Sequence, residues 1–200
     1  MNELRISLPE AQDVLRPRVP LLTRSLADAF TTWLQDYAPH HMVLSTTARA
    51  KIINDHFYFN AAQNLGRDRG AIFHENQLQR FIVFDERLVV RFKLLDRSLQ
   101  ARNYPTERAK GWVQQLPLEG IPPCERLHLG YRLDLTGTAI RDAFITLPNG
   151  ALAVPNDWIW QVWGNPIDSS TFGIQMRLIP FARTGTSVVY AYDDFSVRSA

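Results

Sequence analysis

Apolar and polar residues alternate along the middle of the chain in the pattern of β-strands. Two runs, Phe81–Phe84 and Leu88–Leu94, are rich in β-branched and aromatic residues and are separated by three polar residues, so we expect a hairpin. If Phe92 faces the core, the pleat of the second strand places Arg91 and Lys93 on the opposite face of the sheet. The pattern therefore predicts a rigid strand that presents two cations.

An apolar stripe at three- and four-residue spacing predicts a helix after Pro20, and Pro39 ends it. The stripe consists of Leu22, Leu26, Phe30, Trp33, Leu34 and Tyr37. We expect a second helix to begin at Ser45 or Thr46, either of which is a suitable N-cap, and to end before Gly66. The first third of the chain is therefore predicted to be helical.

From Ala71 onward the apolar period becomes that of strands. Asp96 and Thr106 are N-cap candidates for two short helices, the first ending at Arg102 and the second at Gln115. Further strands are expected over 126–134, 140–148 and 157–163, with turns at glycines between them. The order of elements predicts an α+β fold, with N-terminal helices packed on one face of a largely antiparallel β-meander.

The 200 residues suit one domain with an appended segment. We expect a single α+β domain over residues 1–163, helical over 1–66 and a sheet with inserted short helices over 67–163. The stretch that begins at Gly164 is rich in turn-forming residues. Residues 164–200 are therefore interpreted as a C-terminal β extension or a docking arm.

Composition indicates where the protein works. Cys124 is the only cysteine, so no internal disulfide forms. The amino terminus is charged and contains prolines, unlike a signal peptide, and no apolar run has the length of a membrane span. We therefore expect a cytoplasmic protein with no membrane partner. The net charge is only +2, but basic residues outnumber acidic ones between 67 and 112.

The sequence lacks a recognisable catalytic signature. The five histidines are not spaced like zinc ligands, and the nucleophile elbow, phosphate-loop and dinucleotide motifs are absent. Glu75, Asp85 and Lys93 resemble part of a metal-dependent nuclease pattern. Arg91 occupies the place of the second metal-binding acid, however, and a cation there repels Mg²⁺. We predict neither a metal nor a cofactor, and the chemistry favours a binding protein over an enzyme.

Basic residues and aromatic residues are interleaved after the predicted hairpin. Interfaces with proteins and with single-stranded nucleic acids both use this composition, because both combine stacking with bidentate hydrogen bonds. Composition alone does not separate the two. The residues predicted to form the binding surface are Arg91, Lys93, Arg97, Arg102, Tyr104, Arg108 and Trp112.

A resemblance to a known group covers approximately Ala71 to Val162. It is carried by FIVFDERLVVRFKLLDRSLQARNYPTERA, by RLHLGYRLDLTGTAIRDAFITLPNG and by the tryptophan-containing strand WIWQV. The order of these segments resembles small bacterial proteins that are encoded beside regulators joining a helix-turn-helix domain to an ImmA-like peptidase domain. Some such pairs look like toxin–antitoxin or phage-defence modules.

The resemblance implies a partner-controlled interaction protein, a candidate toxin component of such a module. Its partners would be a cognate antitoxin with a helix-turn-helix domain and a host macromolecule, either a protein or a nucleic acid. The alternative is a nucleic-acid-binding or nucleic-acid-processing enzyme with an unrecognised site. The resemblance transfers no residue roles.

Overall fold

The computed structural model describes residues 5–38, 43–76, 79–102, 106–117, 119–149 and 156–164. The helices are α1 (Leu8–Leu15), α2 (Val19–Thr32), a π-helix (Trp33–Tyr37), α3 (Thr46–Asn64) and α4 (Glu107–Val113). The strands are β1 (Ala71–Asn76), β2 (Gln79–Phe84), β3 (Leu88–Leu94), β4 (Glu125–Leu133), β5 (Ile140–Pro148) and β6 (Asn156–Trp163). Apart from Gly164, the segment predicted as a C-terminal extension lies outside the described residues.

Helix α1 lies within the region predicted to be helical, over 1–66, but no separate helix was assigned before Pro20, although its start signal is present. Ser7 and Glu10 form a capping box, in which the Ser7 hydroxyl accepts from the Glu10 amide and the Glu10 carboxylate accepts from the Ser7 amide. The predicted N-cap of α3 is confirmed, since Ser45 Oγ accepts from Ala48 N at 3.1 Å. Local capping chemistry therefore sets both helix starts.

The apolar stripe of α2 faces the sheet as expected. Leu22, Leu26, Phe30 and Trp33 are buried, whereas Leu34 is exposed. Leu34 lies in the π-helix, whose wider turn takes it out of the stripe.

The described strands form one sheet in the order β1-β2-β3-β4-β5-β6. All neighbouring pairs are antiparallel except β3 and β4, which run parallel from Leu88↔Glu125 to Leu94↔Tyr131. A parallel pair needs a long crossover connection, and α4 lies within it. The predicted α+β fold, with N-terminal helices and a largely antiparallel sheet, is confirmed.

The first face of the sheet carries the main core. It packs against α1, α2 and α3, and Phe92 lies at its centre between two parallel rings. The Phe92 ring centroid is 3.9 Å from that of Phe57 and 5.1 Å from that of Tyr131. The inward orientation predicted for Phe92 is confirmed, and stacked aromatic rings across α3, β3 and β4 hold the layers together.

The second face is also covered, by residues of the connection between β3 and β4. Trp112 of α4 packs on Phe81, Val83 and Val89. A separate cluster contains Leu95, Leu99 and Phe144. The crossover could not be placed from local periodicity, because the pairing of β3 with β4 is a long-range contact.

The short helix predicted from Asp96 to Arg102 does not form, and this segment is a turn. Asp96 Oδ1 accepts from Ser98 N at 2.8 Å and from Gln100 N at 3.0 Å. Leu95 and Ala101 form an isolated bridge. The Asp96 side chain therefore closes a turn, which is the competing use of an N-cap residue.

None of the helices in the described ranges combines the length and the apolar character needed to cross a bilayer.

Candidate functional site

Basic side chains from two neighbouring strands meet on the second face of the sheet. In the parallel register Arg91 of β3 is level with His128 of β4, and Lys93 is level with Gly130. Residues level with each other on paired strands lie side by side on the same face. The site is therefore centred on Arg91, Lys93 and His128.

Helix α3 fixes the backbone that carries Arg91 and Lys93. Tyr58 Oη accepts from Phe92 N at 3.2 Å, and Asn54 Nδ2 donates to Phe92 O at 3.0 Å. The pairing of β2 with β3 extends from Phe84↔Leu88 to Ile82↔Val90. Beyond Val90, the side chains of Tyr58 and Asn54 hydrogen-bond the backbone of Phe92. The backbone that carries Arg91 and Lys93 is therefore held by α3, which packs on the opposite face of the sheet.

Helix α4 supplies an aromatic support beneath Arg91. The guanidinium carbon of Arg91 lies 4.6 Å from the centroid of the Trp112 ring, which is a cation–π contact. The Trp112 ring also stacks on His128, with centroids 6.1 Å apart and planes 14° apart. Trp112 is only 1% exposed, so it orients Arg91 and offers no surface on which a ligand ring could stack.

Helix α4 is held by hydrogen bonds at both ends. The predicted N-cap is confirmed, because Thr106 Oγ1 accepts from Ala109 N at 3.1 Å. After the helix, Gln115 Nε2 donates to Arg126 O at 2.7 Å and Gln115 Oε1 accepts from Arg126 N at 2.9 Å. These bonds tie the crossover to β4 and hold Trp112 over the sheet.

Arg91 belongs to a group of buried or half-buried arginines that have no ion pair within the described residues, together with Arg49, Arg108 and Arg126. Within the described residues no carboxylate lies within ion-pair distance of Arg91, and its Nε is buried without a hydrogen-bond partner. Four other buried or half-buried arginines of the described ranges are paired with carboxylates. The pairs are Arg5 with Asp157, Arg18 with Asp68 and Asp85, Arg80 with Asp55 and Glu75, and Arg132 with Asp142.

Burial and mutual repulsion lower the pKa of each titratable group in the site. Desolvation lowers the pKa of Arg91, and the nearby Arg108 lowers it further. Desolvation and Arg91 lower the pKa of Lys93 to about 8. His128 is 2% exposed, and its pKa falls to about 3 through burial and through the charges of Arg91 and Lys93. His128 is therefore neutral near pH 7.

An indole N–H and a histidine ring nitrogen beside Arg91 also lack partners in the described part of the chain. Trp112 Nε1 and His128 Nε2 are buried and make no hydrogen bond there. A buried N–H without a partner costs free energy unless something supplies an acceptor. Guanidinium, indole and imidazole groups together form a donor set that suits an anion.

The sequence-predicted binding residues are distributed around this site. Arg91, Lys93, Arg108 and Trp112 come together. Arg102 is exposed beside the strand end, with its amide bonded to Leu94 O at 3.0 Å, and Arg97 is exposed on the turn after β3. Tyr104 lies outside the described residues.

His128 was not among the predicted site residues. The sequence feature that could have indicated it is the alternation of polar and apolar residues along β4. His128 lies on the same face as Arg126 and Arg132, and Leu127 and Leu129 lie on the other face. Only the pairing with β3 places it beside Arg91, and that pairing is not visible in local sequence.

The carboxylates of the nuclease-like pattern do not gather at Lys93. Glu75 binds Arg80, which also binds Asp55 of α3 on the first face. Asp85 is in the turn at the opposite end of β3, where it binds Arg18. No three His, Cys, Asp or Glu side chains of the described ranges lie close enough together to hold a metal ion.

A shallow cavity of about 430 Å³ lies on the same face at the edge strand β1, between Ile72 and Pro123. Arg91 does not line it. Cys124 is at its border, and burial raises the pKa of the Cys124 thiol, which disfavours a reactive thiolate.

Comparison of the chain with protein-family models, with curated proteins and with solved structures finds no match. The functional interpretation therefore rests on the geometry around Arg91.

Proposed function

We propose that this chain is a partner-controlled interaction protein that binds an anionic group of a partner protein at Arg91. The observation that carries the proposal is the half-buried Arg91 guanidinium, which is oriented by Trp112 and has no carboxylate partner among the described residues. A desolvated cation is costly when nothing neutralises it. A site that keeps such a group is suited to receive the opposite charge from another molecule.

The neighbouring residues support a docking surface. Arg97 and Arg102 are exposed beside the half-buried Arg91 and Lys93. Exposed charges around a buried anchor speed and orient association, while the anchor contributes most of the affinity. This arrangement favours binding of a charged partner over a purely structural role for the basic residues.

A protein partner fits better than single-stranded nucleic acid. Recognition of single strands depends on bases stacking on accessible aromatic rings. Trp112, the aromatic group at the described site, is 1% exposed. An arginine that contacts a partner protein directly does not require an accessible aromatic ring.

The resemblance described above supports a more specific proposal. The chain acts as the toxin component of a bacterial toxin–antitoxin or phage-defence module in the cytoplasm, and an antitoxin with a helix-turn-helix domain controls it. The host target binds through the same basic face. The nucleic-acid-processing alternative is less favoured, because Glu75 and Asp85 are engaged elsewhere by Arg80 and Arg18.

Site-specific photo-crosslinking in growing cells tests the proposal. A photo-reactive amino acid replaces the exposed Arg102, and a matched variant carries it at Arg24, which is exposed on α2 on the other side of the sheet. We expect a defined, nuclease-resistant adduct from position 102 and none from position 24. Introducing Arg91→Gln should abolish the adduct at position 102.

An adduct that persists in Arg91→Gln would contradict the proposal, as would an equal yield from both positions. An adduct that nuclease treatment reduces to nearly the size of the free protein would replace it with the nucleic-acid alternative.

A further inference from the structure

We propose that the group recognised at Arg91 is a phosphate monoester, carried either by a phosphorylated side chain of the partner or by a free small molecule. The inference rests on the proposed function, because it names the chemistry of the anion bound at the same site. The residues that carry it are Arg91, Arg108, His128 and Trp112.

The first argument is the number of positive charges. Arg108 lies one helical turn before Trp112 on α4, and Trp112 contacts Arg91. This placement agrees with the effect of Arg108, which lowers the pKa of Arg91. The hydrogen bond recorded for Arg108 goes to a backbone carbonyl, Glu119 O, at 3.3 Å. Neither guanidinium has a carboxylate within ion-pair distance in the described ranges. Two neighbouring guanidinium groups are better neutralised by a dianion than by a single carboxylate.

The second argument is the donor set. Arg91 lies over the Trp112 ring, and this stacking leaves the edge of the guanidinium for in-plane hydrogen bonds. The buried Trp112 Nε1 and His128 Nε2 lack partners within the described residues. His128 donates from Nε2 in one of its two neutral tautomers. A phosphate monoester has three terminal oxygens, whereas a carboxylate has two. The monoester can therefore accept hydrogen bonds from more of these donors at once.

Access is compatible with binding from solution. Arg91, Lys93 and Arg108 are half-buried, so each retains some contact with solvent. Trp112 Nε1 and His128 Nε2 are buried. An anion therefore contacts the half-buried cations first and reaches the two ring nitrogens only when neighbouring side chains move.

The test uses three small probes at pH 7.5 and constant ionic strength: methyl phosphate, dimethyl phosphate and acetate. At this pH the monoester carries close to two charges, and the other two carry one. We expect methyl phosphate to bind with one-to-one stoichiometry in calorimetry, at least tenfold more tightly than either monoanion. The indole N–H resonance of Trp112, assigned with a Trp112→Phe variant, should shift in a saturable manner with methyl phosphate.

Matched variants locate the binding. Arg91→Gln and Arg108→Gln should each weaken methyl phosphate binding at least tenfold, and Arg91→Lys should give an intermediate loss because it keeps the charge without the planar fork. Arg97→Gln, which changes an exposed charge on the same face, should have less than a twofold effect. A phosphoserine peptide that binds more tightly than methyl phosphate indicates a protein source, and equal affinity indicates a small-molecule source.

Equal affinity for acetate and methyl phosphate would overturn the inference, as would an equal loss in Arg97→Gln and Arg91→Gln. The two proposals fail separately. An Arg91-dependent protein adduct without monoester binding removes only this inference, whereas monoester binding without a crosslinked partner removes only the proposed function.

Discussion

The guanidinium carbon of Arg91 lies 4.6 Å from the centroid of the Trp112 ring, which joins strand β3 to helix α4 across the second face of the sheet. A cation–π contact contributes about 0.5 to 2 kcal/mol. Desolvation of a cation without an anionic partner opposes this gain. The contact therefore sets the orientation of Arg91 and adds little to the stability of the fold.

Phe92, on the opposite face of the same strand, has a structural role. It is buried between Phe57 and Tyr131. Phe92→Ala should lower the free energy of unfolding by about 3 to 5 kcal/mol, because it leaves a cavity in the stacked core. Phe92→Asp should prevent folding, since a buried unpaired carboxylate costs as much as a domain's stability. Urea denaturation followed by circular dichroism measures both effects.

Phe59 provides the control, because it lies on α3 but is 63% exposed. Phe59→Ala should change the free energy of unfolding by less than about 0.5 kcal/mol. Equal effects at positions 59 and 92 would show that the wrong face of β3 has been placed inward.

Arg18 links the start of α2 to two acidic side chains, and this predicts a pH dependence. Its hydrogen bonds lower the pKa of Asp68 and of Asp85 below the usual value for an aspartate. A carboxyl with a depressed folded pKa stabilises the fold above its unfolded pKa, and this stabilisation is lost as the pH falls through the folded value. Arg18→Gln should therefore be about 2 kcal/mol less stable than the parent at pH 7. The difference should shrink below pH 4.

Urea denaturation of both proteins between pH 7 and pH 2.5 measures this. Arg24→Gln, which alters an exposed ion pair on α2, is the control and should follow the parent curve within about 0.5 kcal/mol. A difference for Arg18→Gln that is independent of pH would contradict the role given to the two carboxylates.

The lowered pKa of His128 predicts a second pH dependence of stability, over a different pH range. Its pKa is lowered to about 3 in the folded protein, mainly by burial. Between pH 6.5 and pH 3 the unfolded chain binds a proton at His128 and the folded chain does not. Stability therefore falls as the pH falls, by up to ~1.4 kcal/mol per pH unit.

His128→Gln and His128→Asn should remove this contribution, whatever their overall stability, because neither side chain titrates. The measured quantity is the slope of the free energy of unfolding against pH. An unchanged slope in both variants would show that His128 is protonated in the fold, contrary to its burial beside Arg91 and Lys93.

Local sequence predicted the elements that depend on local physics. The N-caps at Ser45 and Thr106, the stripe of α2 and the alternation around Phe92 were all correct, since each involves residues within a few positions of one another. The same alternation placed Arg91 and Lys93 on the face opposite Phe92. The turn closed by Asp96 was predicted as a helix because its side chain serves either structure.

The remainder of the site depends on contacts between distant segments. The parallel pairing of β3 with β4 brings His128 beside Arg91, and the crossover buries Trp112, which the sequence had suggested as part of a binding surface. The absence of a carboxylate beside Arg91 in the described part of the chain is likewise a tertiary property.

The central claim is that the Arg91 charge serves a ligand and not the fold, and the stability of Arg91→Met tests it most directly. Methionine keeps much of the apolar stem over Trp112 and removes the charge. Chemical denaturation in anion-poor buffer should give a free energy of unfolding within about 1 kcal/mol of the parent, because the lost cation–π contact is offset by relief of desolvation. Arg132→Met removes the bidentate partner of the buried Asp142 carboxylate and leaves it the exposed Arg141 as an ion-pair partner, so it should lose about 3 kcal/mol in the same measurement. A loss of that size in Arg91→Met would contradict the claim, because it would show that Arg91 is a structural residue.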